Sequence, residues 1–165
     1  MSLSLVILTP FLGAALAAGA SRWGQRYAAW VAGTVTVTSL LELLPLASIP
    51  FAGQTVIERF AWIPAAGLDL AFRLDGLGLL FALLILLIGL LIILYARYYL
   101  SPNDNMGRFY ACLLLFMGSM LGVALSENII QLLIFWELTS LSSFLLISYW
   151  QQRTEARNGA RMALT

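Results

Sequence analysis

The sequence predicts an all-α polytopic membrane protein: five transmembrane helices, the start of a sixth, and a short outer β-hairpin between helices two and three. Three observations carry that expectation. Hydrophobic residues make up 61% of the 165 positions and charged residues 10%, with a mean hydropathy of +0.91, a balance that belongs to the membrane class. Five stretches approach the roughly 20 apolar residues that cross a hydrocarbon core of about 30 Å at about 1.5 Å per residue. The arginines, finally, gather in alternate connections, as the preference of Lys and Arg for cytoplasmic loops requires.

The five spans run over 2–20, 27–49, 76–96, 107–125 and 129–149, and another segment opens near Gly159 and stops at Thr165. The first carries "ALAAGA", whose small residues resemble a signal-peptide cleavage site, but no Arg or Lys precedes the apolar run, and Arg22 and Arg26 follow it. That is the reverse of a secretory signal, so the segment is expected to remain as a span. Pro10 and Pro45 each remove a helical hydrogen bond and mark sites for kinks in spans one and two. In the fourth span Phe109 to Leu125 is short, and Gly107 and Arg108 extend it with the Arg snorkelling to the interface. Its Gly118 and Gly122 form a GxxxG, a pattern that lets helices approach closely, here expected to act within one subunit.

Between spans two and three, residues 54–75 are expected to form the hairpin. Leu68, Leu70, Phe72 and Leu74 alternate with Asp69, Ala71, Arg73 and Asp75, the period of a half-buried strand. "TVIERFAWI" before them is rich in strand formers, and "PAAG" at 64–67 supplies turn chemistry. If the spans alternate, Arg22, Arg26, Arg97, Arg108, Arg153, Arg157 and Arg161 share one side, whereas Arg59 and Arg73 lie on the other. The N-terminus is then outside. Glu127, in the tight outer connection "SEN" at 126–128, reads as a solvated or capping residue.

Other classes of function find little support. Net charge is +1, and the nine basic residues are all Arg without a basic stripe, so no nucleic-acid partner is expected. Cys112 is the single cysteine, which excludes an internal disulfide and any multi-cysteine metal site. No cofactor motif is present.

The chemistry concentrates in "LLIFWELTSLSSFLLI", residues 132–147, where Glu137 interrupts an apolar run. It falls two residues from the midpoint of span five, where an ionised side chain costs about 2.5–3.5 kcal/mol on insertion scales. Either burial keeps the carboxyl protonated, or a cation or a water-filled cavity stabilises its charge. Both states suit a proton carrier. The chain has no Lys or His, and its arginines fall at or beyond the predicted interfaces, so a cationic partner for Glu137 must come from elsewhere. Ser140, Leu141 and Phe144 share its helical face, with Thr139 and Ser143 beside it. Those hydroxyls either hold waters near the carboxylate or bond back to the preceding turn. Glu42, about 6 Å outward of the centre of span two by the helical rise, is a second intramembrane carboxylate. It lines an outer half-channel or approaches the interface.

"SENIIQLLIFWELTSLSSFLLISY", residues 126–149, closely resembles the fifth-helix region of the A-type subunit of Mrp-type multisubunit Na⁺/H⁺ antiporters, and "FRLDGLGLLFALLI", 72–85, resembles that subunit's entry into its third helix. The resemblance covers essentially residues 1–165, but only the amino-terminal part of a family member with many more helices. The large antiporter-like subunits of respiratory complex I and of membrane-bound hydrogenases share the fold. "WELTSLSS" points to the Mrp branch. The resemblance implies a bacterial cell-membrane protein that works with other subunits, the remaining helices of its own subunit, protons and a monovalent cation. It also implies that Glu137 moves protons, with a lysine partner on a later helix. Ser140 and Glu42 are accessory polar candidates by their positions alone, apart from the resemblance. A proton-pumping subunit of a redox enzyme and a non-transporting truncated scaffold are the alternatives.

Overall fold

The computed structural model describes residues 2–20, 25–63, 68–99 and 105–148. In chain order they form α1 (Leu3–Ala20), α2 (Gln25–Phe51), β1 (Val56–Ile63), β2 (Leu68–Leu74), α3 (Gly76–Tyr99), α4 (Met106–Leu125) and α5 (Ile129–Ile147). All five helices are long and apolar enough to cross a membrane. Arg22, the hairpin turn at 64–67, the arginines at 153, 157 and 161, and the start of a sixth span lie outside the described residues.

Helix α4 is the hub, packing against α1, α2, α3 and α5. Its side chains Tyr110, Leu114, Leu121 and Leu125 are fully buried, and Cys112 is buried among them. Small residues set the approach distances. A Cβ on Gly118 would lie 2.8 Å from the Phe11 ring of α1, and one on Gly122 would collide with the Phe135 ring of α5. The GxxxG therefore seats two aromatic rings of the same chain, as expected of a motif acting within one subunit. Phe135 lies 6.4 Å from Phe11 and 6.3 Å from Phe72, centroid to centroid, so three rings link α1, α5 and the hairpin.

The helices run on through their prolines, Pro10 in α1 and Pro45 and Pro50 in α2. Helix α2 then stops in a Schellman arrangement: Gly53 N–H donates to Pro50 O, Gln54 N–H donates to Ile49 O, and Gly53 takes φ +76°. Only glycine holds that left-handed position without a steric cost. Asn105 caps α4 by accepting the Arg108 N–H at 3.2 Å, which starts that helix at Met106.

Strands β1 and β2 pair antiparallel, with Glu58 opposite Phe72 and Arg59 opposite Ala71. The alternation of β2 holds for Phe72 and Leu74, which are buried, and for Asp69 and Arg73, which are exposed. Ala71 departs from it, being 5% exposed on the strand's polar register. The cause is tertiary: the α4–α5 connection lies along β2 there, with Glu127 N–H donating to Ala71 O and Gln131 Oε1 accepting the Ala71 N–H.

Candidate functional site

Helix α5 has two unlike faces. Asn128 starts it by accepting the Gln131 N–H at 2.9 Å, freeing the first turn from an unmet donor. One face carries Gln131, Phe135 and Ser142 toward the bundle, of which Gln131 and Ser142 are buried. The other carries Leu133, Ile134, Trp136 and Leu141, all exposed, and Glu137 is exposed among them. Glu137 stands next to the helix midpoint and meets no cationic side chain among the described residues. The carboxylate thus projects from an apolar helix face that no other described helix covers.

The hydroxyls near it are turned inward on their own helix. Thr139 Oγ1 donates to Trp136 O at 2.6 Å, Ser142 Oγ to Leu138 O at 2.7 Å and Ser143 Oγ to Ser140 O at 2.9 Å. Ser140 also bonds back to Trp136 O, but at 3.4 Å, the loosest of the set. Of the two readings open for these groups, the structure takes the local one, because a carbonyl one turn back is always within reach in a dry helix.

Glu42 is half-buried and accepts a hydrogen bond from Thr9 Oγ1 at 3.0 Å, which ties α2 to α1. The same hydroxyl reaches Leu5 O at 2.8 Å, so the two acceptors compete for one proton. Helix α2 packs on α1, α3 and α4, whereas α5 packs chiefly on α4. Glu42 and Glu137 accordingly belong to different parts of the bundle and do not form one cluster. Among the described residues no group of His, Cys, Asp or Glu is arranged to hold a metal ion.

A polar clamp joins the hairpin to the helix ends. Glu58 accepts from Leu3 N–H at 2.6 Å, Ser4 N–H at 3.0 Å and Ser2 Oγ at 2.9 Å, satisfying the unpaired donors at the start of α1. Burial raises its pKa, but these hydrogen bonds outweigh that effect and hold it below the ordinary carboxylate value. On the other side Arg59 grips Glu127 through Nε and Nη2, at 3.2–3.3 Å. Asn128 Nδ2 donates to Asp69 O at 2.8 Å. Glu127, expected to be solvated or capping, is instead an ion-pair partner; the capping residue is its neighbour Asn128. The pairing escapes sequence reasoning because Arg59 is 68 positions away. Glu58 and Gln131 were likewise missed. Their one local signal is a charged or amide residue placed within strand-forming or apolar sequence.

Against known proteins, residues 62–110 match the family described as NADH-ubiquinone oxidoreductase (complex I), chain 5 N-terminus. The segment runs from the hairpin through α3 into α4. The chain is 46% identical over 163 residues to the A/B component of a probable K⁺/H⁺ antiporter of Rhizobium meliloti, covering 99% of this chain and 16% of that protein. It is 43% identical over 163 residues to the A1 component of a Na⁺/H⁺ antiporter of Staphylococcus aureus, covering 98% and 20%. Its fold superposes on a chain of the Mrp complex from Dietzia sp. DQ12-45-1b with a TM-score of 0.86 at 29% identity, over 99% of this chain and 17% of that one. A chain of an archaeal membrane-bound sulfane sulfur reductase shares the fold, with a TM-score of 0.63 at 20% identity, over 87% and 22%. This chain thus spans a fifth or less of the length of the antiporter proteins it matches. In sequence and in fold it is related, over essentially its whole length, to the A-type subunit of the Mrp-type multisubunit Na⁺/H⁺ antiporters.

Proposed function

We propose that this chain is the amino-terminal part of a cation/proton antiporter subunit in which Glu137 carries protons across the middle of the membrane. The observation that carries the reading is the position of Glu137: at the centre of an apolar helix, on the face left open by the described bundle. A carboxylate there is costly to ionise unless a cation or water meets it. A helix supplying that partner would cover the open face. Proton uptake and release at Glu137 would then be biased by the partner and by the membrane potential, worth about 2.3 kcal/mol per charge per 100 mV. Glu42, hydrogen-bonded to Thr9, and Ser140, loosely bonded to its own helix, are accessory groups in this scheme. The hairpin and the N-terminus face outward, the side opposite most arginines.

Glu137→Gln in the full subunit, within its complex, keeps the shape and removes titration. Antiport in everted vesicles should fall to background, while Glu42→Gln, whose amide oxygen still accepts from Thr9, should retain most of it. Undiminished antiport in Glu137→Gln, with normal assembly, removes that residue from the mechanism.

The match of residues 62–110 to the complex I chain 5 N-terminus favours a second reading, a proton-pumping subunit of a redox enzyme. Flavin and iron–sulfur absorbance in the co-purified assembly distinguishes the two, since a purely cation-exchanging complex requires neither.

A further inference from the structure

Between α2 and α3 lies a groove of about 400 Å³, open on the outside of the bundle. Trp30, Thr34 and Val37 form one wall, and Leu90, Leu94 and Arg97 the other. The threonine hydroxyls are spent on their own helix: Thr34 donates to Trp30 O and Val31 O, and Thr38 to Thr34 O. What faces the groove is therefore almost wholly apolar, except at one end. There the Arg97 guanidinium lies 4.5 Å from the centre of the Trp30 ring and 6.0 Å from that of Tyr98. The two ion pairs among the described residues are Arg59–Glu127 and Arg73–Asp75, so Arg97 has no carboxylate among them.

We propose that this groove binds one acyl chain of an anionic phospholipid whose phosphate pairs with Arg97. Depth, charge and surroundings agree on that occupant. Trp30 to Thr38 spans about 12 Å at the helical rise, close to the length of one leaflet of a hydrocarbon core about 30 Å thick. Arg97 stands in the last turn of α3, and Tyr27, Trp30, Tyr95, Tyr98 and Tyr99 around that end are all exposed, as in the aromatic belts that mark the headgroup level. The stacked Trp30 ring holds the guanidinium at the mouth of the groove, where an anionic headgroup supplies the missing counter-charge. A free phosphate has no use for the apolar length beneath.

The test uses the full subunit in its complex, delipidated in detergent and titrated with phosphatidylglycerol or phosphatidylcholine of identical chains, with bound lipid counted by native mass spectrometry. Phosphatidylglycerol should bind more tightly, and Arg97→Gln should reduce that preference about fivefold, the effect of one Arg on an anionic lipid. Gly33→Leu fills the groove with a side chain that meets open space, since nothing lies within 4 Å of a Cβ there. It should displace both lipids with Arg97 intact, and it serves as the second variant if Arg97→Gln does not assemble. Equal retention of the two lipids by the parent overturns the proposal, as does unchanged retention in the variants. So does a photo-crosslinker at Val37 that captures another protein subunit in place of lipid.

Discussion

At the scale of single residues, the carboxylates divide by what meets them. Glu58 accepts hydrogen bonds from two backbone N–H groups and a hydroxyl at the start of α1, a place where the helix dipole also favours negative charge. Its pKa in the folded state lies below the ordinary carboxylate value. The stabilisation it gives is therefore present above about pH 4.5 and disappears as pH falls through the folded value. Because the group is half-buried at a helix start, Glu58→Gln should cost on the order of 1 kcal/mol at pH 7. Thermal unfolding of the detergent-solubilised protein checks this: the gap between parent and variant should close on acidification, and a gap that widens refutes the assignment. Glu137 is the contrary case, a carboxylate on an apolar face without such donors among the described residues. The difference was half-legible in sequence. Glu137 stands out against its apolar run, whereas Glu58 in "VIERF" looks like any exposed strand charge until α1 is brought over it.

At the scale of elements, the close approach of α1 and α5 to α4 depends on two glycines and the rings they admit. Gly122 lets Phe135 lie against the α4 backbone, and Gly118 does the same for Phe11. In lipid the association of helices relies on such packing, since neighbouring acyl chains are as apolar as the side chains. Gly122→Leu should overpack this contact at a cost of about 1–3 kcal/mol. Phe135→Ala in the same chain should recover part of the loss by making room, which a double-mutant cycle in detergent stability assays measures. Strict additivity of the two substitutions would show that the glycine acts by some other route. The GxxxG spacing was visible in the sequence, but not its partners. Which ring enters which notch depends on how α1 and α5 are rotated about α4, and no local pattern encodes that.

At the scale of the whole molecule, the hairpin locks the helix ends on one side of the bundle. Glu58 holds α1, while Arg59, Ala71 and Asp69 hold the α4–α5 connection. Helix α5 packs chiefly on α4, and its opposite face is uncovered by the other described elements. The orientation proposed above rests on the arginine bias, and labelling checks it. With Cys112 replaced by serine, Gln54→Cys in the full subunit should react with a membrane-impermeant maleimide added outside intact cells. Asn105→Cys should react only after permeabilisation. The reverse pattern would invert the proposed topology.

Apolar length, arginine spacing and strand alternation are local properties of the chain. They were enough to place five helices and a hairpin, because a bilayer accepts few other ways to satisfy a backbone. Packing is not local. The burial of Ala71 against its own alternation, the Arg59–Glu127 pair and the Arg97–Trp30 groove each depend on how the chain is packed in three dimensions. Only the docking of helices around α4 brings atoms so far apart in sequence within bonding distance.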